Sequence, residues 1–171
     1  MQTFTNNTID TSNIPKFEAV IFSKLHPNYW KVMLLNLSLI ILIAGIGLAF
    51  AIYNVEEIVD YQLIIVVTFL FLVVLIVVFS HIGFVKKGFA FREHDVLFKH
   101  GIIANNTTII PYNRVQHVAI EEGLISRYFG LVTIEIFTAG GNSSDILIPG
   151  IEKEQAENIK QLLMGKIQKQ L

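Results

Sequence analysis

Residues 63–79 read LIIVVTFLFLVVLIVVF, and every position except Thr68 holds Leu, Ile, Val or Phe. The many β-branched residues would favour a strand, but strands are usually about 3–10 residues long and this run is seventeen. No charge, proline or glycine interrupts it. Extended to residue 84, it reaches the roughly 20 residues that a membrane-spanning helix requires. We therefore predict a transmembrane helix over residues 63–84.

An earlier apolar segment predicts a first spanning helix over residues 32–53, because it contains no charged residue. Small residues four positions apart in its second half permit another helix to approach closely. These residues are Gly45, Gly47, Ala49 and Ala51. The partner is either the second span or a further subunit, and the second span is the simpler interpretation. Together the two spans predict a helical hairpin over residues 32–84.

The two ends of this hairpin carry charges of opposite sign. The connection between the spans carries Glu56, Glu57 and Asp60 and no Lys or Arg. Basic residues flank the hairpin on its outer sides: Lys16, Lys24 and Lys31 precede it, and Lys86, Lys87 and Arg92 follow it. Cytoplasmic flanks carry the Lys and Arg excess. We expect both termini in the cytoplasm and the short connection on the outside.

The overall composition fits two spans and one small domain. The chain has 171 residues, 53% of them hydrophobic and 16% charged, with a mean hydropathy of +0.56. It has no cysteine, which excludes disulfides and thiolate metal sites. The net charge of −1 provides no basic field for nucleic acid. We predict no nucleic-acid partner and no cofactor.

The segments around the hairpin have distinct patterns. Residues 1–15 are polar and predict a flexible tail. Residues 16–31 predict a juxtamembrane segment. It either simply leads the chain to the membrane or forms a short amphipathic helix broken at Pro27. Residues 85–171 predict a cytoplasmic domain of about six or seven short strands followed by one amphipathic helix. The helix is expected over residues 152–169, with an apolar stripe of Ala156, Ile159, Leu163 and Ile167.

Alternation of apolar and polar residues predicts individual strands of this domain. Val132, Ile134 and Ile136 are expected on one face of the clearest strand. Residues 140–142, Gly-Gly-Asn, predict the turn that follows. Strict alternation in residues 115–121 would place Val115 and Val118 on opposite faces. The expected product is a small curved sheet or partial barrel closed at one end by the helix.

A resemblance rests on residues 111–118, PYNRVQHV, followed by Gly123, residues 127–131, RYFGL, and residues 148–150, IPG. Over about residues 30–171 the chain resembles the membrane-anchored bacterial pleckstrin-homology-like family, the YdbS/YdbT group. The resemblance implies a seven-stranded pleckstrin-homology (PH) fold with a C-terminal capping helix behind two transmembrane helices. It also implies a non-enzymatic role in the bacterial inner membrane, often beside a longer sister protein with repeated copies of the domain.

Six basic residues are candidates for binding a lipid or a partner: Lys86, Lys87, Arg92, Lys99, Arg114 and Arg127. Near an anionic leaflet each cation gains about 1 kcal/mol. Alternatively, Lys86 and Lys87 only set the topology, and Glu93 and Asp95 weaken the field of Arg92. Arg114 either holds a lipid phosphate or satisfies loop carbonyls and glutamates. For Arg127 a loop-stapling role is the favoured interpretation.

Catalytic and metal-binding patterns are missing from the sequence. The five histidines show no His-Glu-x-x-His spacing, and no Gly-x-Ser-x-Gly elbow or phosphate-binding glycine loop occurs. We therefore predict a binding or scaffold protein that contacts anionic lipid or a neighbouring membrane protein. The alternative is a structural subunit of a membrane complex that associates mainly through its helices, with a sister protein or with a second copy of itself.

Overall fold

The computed structural model describes residue 8, residues 19–139 and residues 146–168. Two long helices, α1 (Asn28–Asn54) and α3 (Gln62–Lys86), form an antiparallel hairpin joined by the short helix α2 (Glu56–Val59). The rings of Trp30 and His81, whose centroids are 4.8 Å apart, bring the first turn of α1 to the last turns of α3. Both predicted spans lie within these helices.

The remaining described elements include two antiparallel sheets, two further α-helices and a short 3-10 helix at Tyr112–Arg114. The first sheet has the order β1-β2-β3-β4 and the second the order β5-β6-β7. The strands are β1 (Ser23–Lys24), β2 (Gly88–Phe91), β3 (Asp95–His100), β4 (Asn106–Pro111), β5 (Val115–Glu121), β6 (Leu131–Thr138) and β7 (Ile146–Glu152). The helices are α4 (Leu124–Tyr128) and α5 (Lys153–Gln168). The predicted PH-like architecture is confirmed.

The core lies between the two sheets and under α5. Val96, Ile134 and Ile148 contribute fully buried side chains from three strands, and Ala156 and Leu163 cover them from α5. The helical spacing of the predicted stripe is therefore confirmed for Ala156, Ile159 and Leu163. The side chain of Ile167 lies outside the described part of the chain, as do the predicted turn at residues 140–142 and the tail of residues 1–15 except residue 8.

Strict alternation in β5 was a wrong expectation. Val115 pairs with Thr138, whereas His117 pairs with the preceding residue of β6, Phe137, so the register shifts between them. This bulge places an extra residue in β5 and lets both Val115 and Val118 enter the core. Periodicity alone cannot reveal a bulge, because it depends on the partner strand.

The helical hairpin is inserted between β1 and β2. Ser23 pairs with Phe89 and Lys24 with Gly88, so the chain enters the sheet, leaves through α1 and returns through α3. Leu25 is buried in the domain core. The prediction separated residues 16–31 from a domain that starts at residue 85. The structure shows that residues 23–24 complete its first sheet and that Leu25 enters its core; residues 16–18 lie outside the described ranges.

Contacts at the junction attach the start of α1 to the second sheet. The backbone N–H of His26 donates to the carbonyl of Gly150 at 2.9 Å, and His26 Nε2 lies 3.1 Å from Glu152 Oε1. Gly150 has a φ of +67°, and a Cβ there would be 2.5 Å from the ring of Tyr29. Only a glycine permits both the backbone conformation and this close approach.

Candidate functional site: a lysine groove at the end of the helical hairpin

Three lysines from distant parts of the sequence converge on Gly88. In the first sheet Gly88 lies between Lys24 of β1 and Lys99 of β3, and Lys86 precedes it at the end of α3. Together they line an open groove of about 490 Å³, which we call the lysine groove. Its other lining residues are Phe22, Val85, Gly88 and Asn105. The groove lies where α3 passes into the domain.

Two of the three ammonium groups have backbone acceptors. Lys24 Nζ donates to the carbonyl of Val85 at 3.0 Å, and Lys86 Nζ donates to that of Ile102 at 2.6 Å. Lys99 Nζ lies 5.8 Å from the centroid of the Phe22 ring. Each ammonium has three donors, so these contacts leave donors for a further ligand.

No carboxylate lies among the residues that line the lysine groove. Within the described ranges, none of its three lysines forms an ion pair with Asp or Glu. Among the residues that the structure describes, no carboxylate therefore neutralises their positive charge. A groove of this composition suits an anion with several oxygen acceptors, such as a phosphate.

Lys87 follows Lys86 but does not line the groove. Its side chain is half-buried, and desolvation lowers the pKa of its ammonium group. Partial burial disfavours the charged form of this ammonium group. Contact of Lys87 with lipid headgroups stays a prediction from the sequence.

Arg92 is separated from the lysines, at the far end of β2 from Gly88. Its guanidinium forms two hydrogen bonds with Asp95, from Nε to Oδ1 at 2.6 Å and from Nη2 to Oδ2 at 2.5 Å. This pairing raises the pKa of Arg92. Its carbonyl accepts a hydrogen bond from the Tyr112 hydroxyl at 2.6 Å. Arg92 therefore holds the turn between β2 and β3.

Arg114 and Arg127 lie in two other places. Arg114 is exposed and lines a separate cleft of about 210 Å³ with Thr108, Pro111 and other residues between β4 and β6. Arg127 Nε lies 3.3 Å from Glu122 Oε2, and Lys153 approaches the other oxygen of the same carboxylate at 3.6 Å. The loop-stapling interpretation of Arg127 agrees with this contact.

The small residues of α1 face different directions. A Cβ on Gly45 would lie 3.9 Å from the ring of Phe69 on α3, whereas one on Gly47 would meet nothing within 4 Å. Ala49 is exposed and Ala51 half-buried. Gly45 thus faces the second helix, and Gly47 faces away from it.

Lys24 is the residue of the groove that sequence reasoning missed as a binding candidate. The sequence identifies Lys24 only as one of the basic residues before the hairpin, because no local pattern shows that it belongs to a strand. The described residues contain no group of three or more His, Asp or Glu side chains placed to hold a metal ion.

The helical hairpin exposes its apolar side chains. Within the most apolar 18 residues of each long helix, the share of residues buried inside the protein is 6% for α1 and 0% for α3. Ile64 and Phe71, for example, are both more than half exposed. A soluble protein rarely exposes a contiguous apolar surface of such extent. The natural environment of these two helices is therefore lipid.

Comparison with known proteins agrees with this architecture. Residues 31–167 match the sequence profile of the bacterial PH domain. The chain belongs to the bacterial PH domain family. It is 32% identical over 71 residues to the transmembrane protein YdbT of Bacillus subtilis (strain 168), covering 37% of this chain and 14% of YdbT. It is 33% identical over 69 residues to YdbS of the same organism, covering 40% of this chain and 42% of YdbS.

The bacterial PH domain match begins after β1, so the strand at Ser23–Lys24 lies outside it. The aligned segments span less than half of each of the two relatives. No solved structure matches the chain. The family is one of membrane-associated PH-like proteins and not a known enzyme family.

Proposed function

We propose that this bacterial PH domain protein is a non-enzymatic membrane anchor and binding protein that holds anionic phospholipid in its lysine groove. The observation that supports the proposal is the convergence of Lys24, Lys86 and Lys99 around Gly88 without a carboxylate among the lining residues. Because the groove lies at the end of α3, its ligand lies at the surface of the bilayer.

The proposed topology has two spans of the cell membrane with both termini in the cytoplasm. The lysines lie at one end of the hairpin, and Glu56, Glu57 and Asp60 lie at the other. This asymmetry favours the lysine end on the cytoplasmic side. That leaflet carries anionic lipid, so the topology brings the groove and its proposed ligand to the same surface.

The magnitude of the effect follows from the charges. Each cation near an anionic surface contributes about 1 kcal/mol, so removing two of them weakens the interaction by about 2 kcal/mol, or roughly thirtyfold. The lysines act as point charges and select a phosphate without defining one headgroup geometry. We therefore expect a preference for anionic over neutral phospholipid, weakened by salt.

Native mass spectrometry of the full chain in detergent, titrated with phosphatidylglycerol or phosphatidylcholine, tests the proposal. The double variant Lys24→Gln/Lys99→Gln should lose phosphatidylglycerol affinity roughly thirtyfold and keep its phosphatidylcholine affinity. The matched control is Lys153→Gln/Lys160→Gln, which removes two lysines outside the groove that pair with glutamates. Equal affinity for both lipids, or equal losses in both double variants, would contradict the proposal.

A second candidate function is that of a subunit in a membrane complex. The observation that favours it is Gly47, which faces away from the second helix and leaves room for another one. The proposed partner is a second copy of this chain or a longer membrane protein with repeated PH domains. In that case the transmembrane helices contact the partner, and the complex positions the PH domain at the membrane surface.

A further inference from the structure

Four large apolar side chains are almost fully exposed outside the two long helices, within the part of the chain that the structure describes. Ile103 is 94% exposed, Ile21 93%, and Leu124 and Tyr128 87% each. A scattered exposed apolar residue needs no explanation. These four, however, all belong to segments that adjoin the end of the hairpin at which the domain is attached.

The loop between β3 and β4, residues 101–105, lies against α3. The Cγ1 atom of Ile102 is 3.2 Å from the position that a Cβ on Gly83 would occupy, and the carbonyl of Ile102 accepts the hydrogen bond from Lys86. Gly83 precedes Lys86 by three residues, about 4.5 Å along the helix axis on the membrane side. The loop therefore lies beside α3 at the level of Gly83, on the hairpin side of Lys86.

The shape of this loop directs its two isoleucines differently. Gly101 has a φ of +124°, and a Cβ there would be 1.9 Å from the carbonyl oxygen of Ala104, so only glycine fits. In the resulting tight loop, Ile102 contacts α3 while its neighbour Ile103 is left uncovered. The uncovered Ile103 side chain is therefore an exposed apolar group beside the end of α3.

The short helix α4 provides a similar surface beside the other long helix. It lies close to α1, whose first turn is attached to the domain by Tyr29 at Gly150. Leu124 and Tyr128 are four residues apart and share one face of α4. Tyrosine is a residue that favours the membrane–water interface. The exposed face of α4 is therefore an apolar surface next to the start of α1.

We propose that the loop of residues 101–105 and helix α4 insert into the boundary between headgroups and acyl chains, on two sides of the helical hairpin. The occupant of both surfaces is the lipid that already surrounds α1 and α3, because each surface continues from one of those helices. The two insertions hold the PH domain in one orientation against the bilayer. This requires apolar contact alone and is independent of anion binding in the lysine groove.

Site-directed spin labelling tests this insertion, because the chain contains no cysteine that must first be removed. Single variants Ile103→Cys and Tyr128→Cys are labelled in the full chain, in nanodiscs of neutral lipid. His94→Cys is the matched control: its side chain is 90% exposed, at the turn between β2 and β3. That turn is roughly 13 Å along β2 from Gly88, away from the membrane. Phe71→Cys in α3 provides the lipid-immersed reference.

The measured quantity is the accessibility of each label to oxygen relative to a water-soluble nickel complex. We expect this ratio to be several-fold higher at residues 103 and 128 than at residue 94, and closer to that at residue 71. Ratios at 103 and 128 equal to that at 94 would overturn the proposal. If Tyr128→Cys fails to fold, a label at Leu124 on the same face of α4 repeats the test, and a label at the exposed Ala104 does so for the loop.

A second pair of measurements separates this proposal from the one on the lysine groove. The ratios at residues 103 and 128 should not change in the Lys24→Gln/Lys99→Gln background, even if that background loses anionic lipid. Insertion that requires anionic lipid or these lysines would overturn the apolar mechanism. Protection of both labels from oxygen and nickel alike would also overturn it, because a protein subunit would then cover the surfaces.

Discussion

The helical hairpin and the β-rich domain use the same apolar residues in opposite positions. Ile134 in β6 is 0% exposed, whereas Ile64 in α3 is 65% exposed. In the domain, apolar side chains are covered by two sheets and a helix. In the hairpin they are covered by lipid, so contacts within the chain are few. Apolar content therefore indicates that a residue avoids water, and only its surroundings determine what replaces the water.

The largest expected difference between the two regions concerns truncation of an apolar side chain. Ile134→Ala should lower the free energy of unfolding by about 2–5 kcal/mol, because it leaves a cavity in a closely packed core. Ile64→Ala removes the same atoms where lipid fills the space, so we expect a loss within about 0.5 kcal/mol. Urea titration of the solubilised chain, followed by circular dichroism, measures both. Equal losses would show that α3 is packed like a core helix.

The junction between the two regions should be almost as sensitive. Gly150→Ala imposes a left-handed conformation on a residue with a Cβ, at about 1–2 kcal/mol, and adds a clash with Tyr29. Gly130→Ala is the matched control: its φ is also +67°, but nothing lies within 4 Å. We expect it to cost the conformational energy alone. Thermal unfolding of both variants measures the additional destabilisation caused by the clash. Equal unfolding midpoints would mean that the Tyr29 side chain moves aside without an energetic cost.

Within the hairpin, the two glycines of α1 should behave differently. Gly45→Leu is expected to push α1 from Phe69 and destabilise the hairpin by about 1–3 kcal/mol. Gly47→Leu should leave the hairpin intact, because its side chain enters open space. Crosslinking in native membranes measures the association with other subunits. If Gly47→Leu leaves that association unchanged, assembly through this face of α1 is wrong.

The smallest expected effect concerns the hydroxyl of Tyr112 in the domain. Tyr112→Phe removes the hydrogen bond to the carbonyl of Arg92 and should cost about 1 kcal/mol. Burial raises the pKa of Tyr112 to about 12, so the folded chain keeps a proton that the unfolded chain releases near pH 10. Stability should be independent of this group below pH 10 and fall between pH 10 and 12. The phenylalanine variant should lack that decline, and a parallel decline in both proteins would assign it to another group.

Much of the fold could be predicted because its patterns are local. The uninterrupted run at residues 63–79 predicts a spanning helix from length and polarity, and helical spacing predicts Ala156 and Leu163 in the core. Strand β1 could not be predicted in this way. It has two residues, Ser and Lys, both exposed, and it exists because Gly88 and Phe89 offer backbone partners.

The candidate site shows the same division. Lys86 and Lys99 could be named as candidates because they are basic and near the end of α3, but Lys24 could not be joined to them. From the sequence, Arg92 was as good a binding candidate as the lysines, but the structure pairs it with Asp95. The charge of a side chain is visible in the sequence, whereas its neutralisation depends on which residues the fold brings next to it.

The sequence by itself determined the two spans, the approximate positions of most strands, the closing helix and the resemblance to the bacterial PH domain, since each depends on residues close together in the chain. Tertiary structure alone decided that the hairpin interrupts the first sheet, that a bulge admits both Val115 and Val118 to the core, and that three lysines surround Gly88. The physical reason is that strand pairing satisfies backbone hydrogen bonds between distant segments, and a hydrophobicity pattern carries no information about which segments pair.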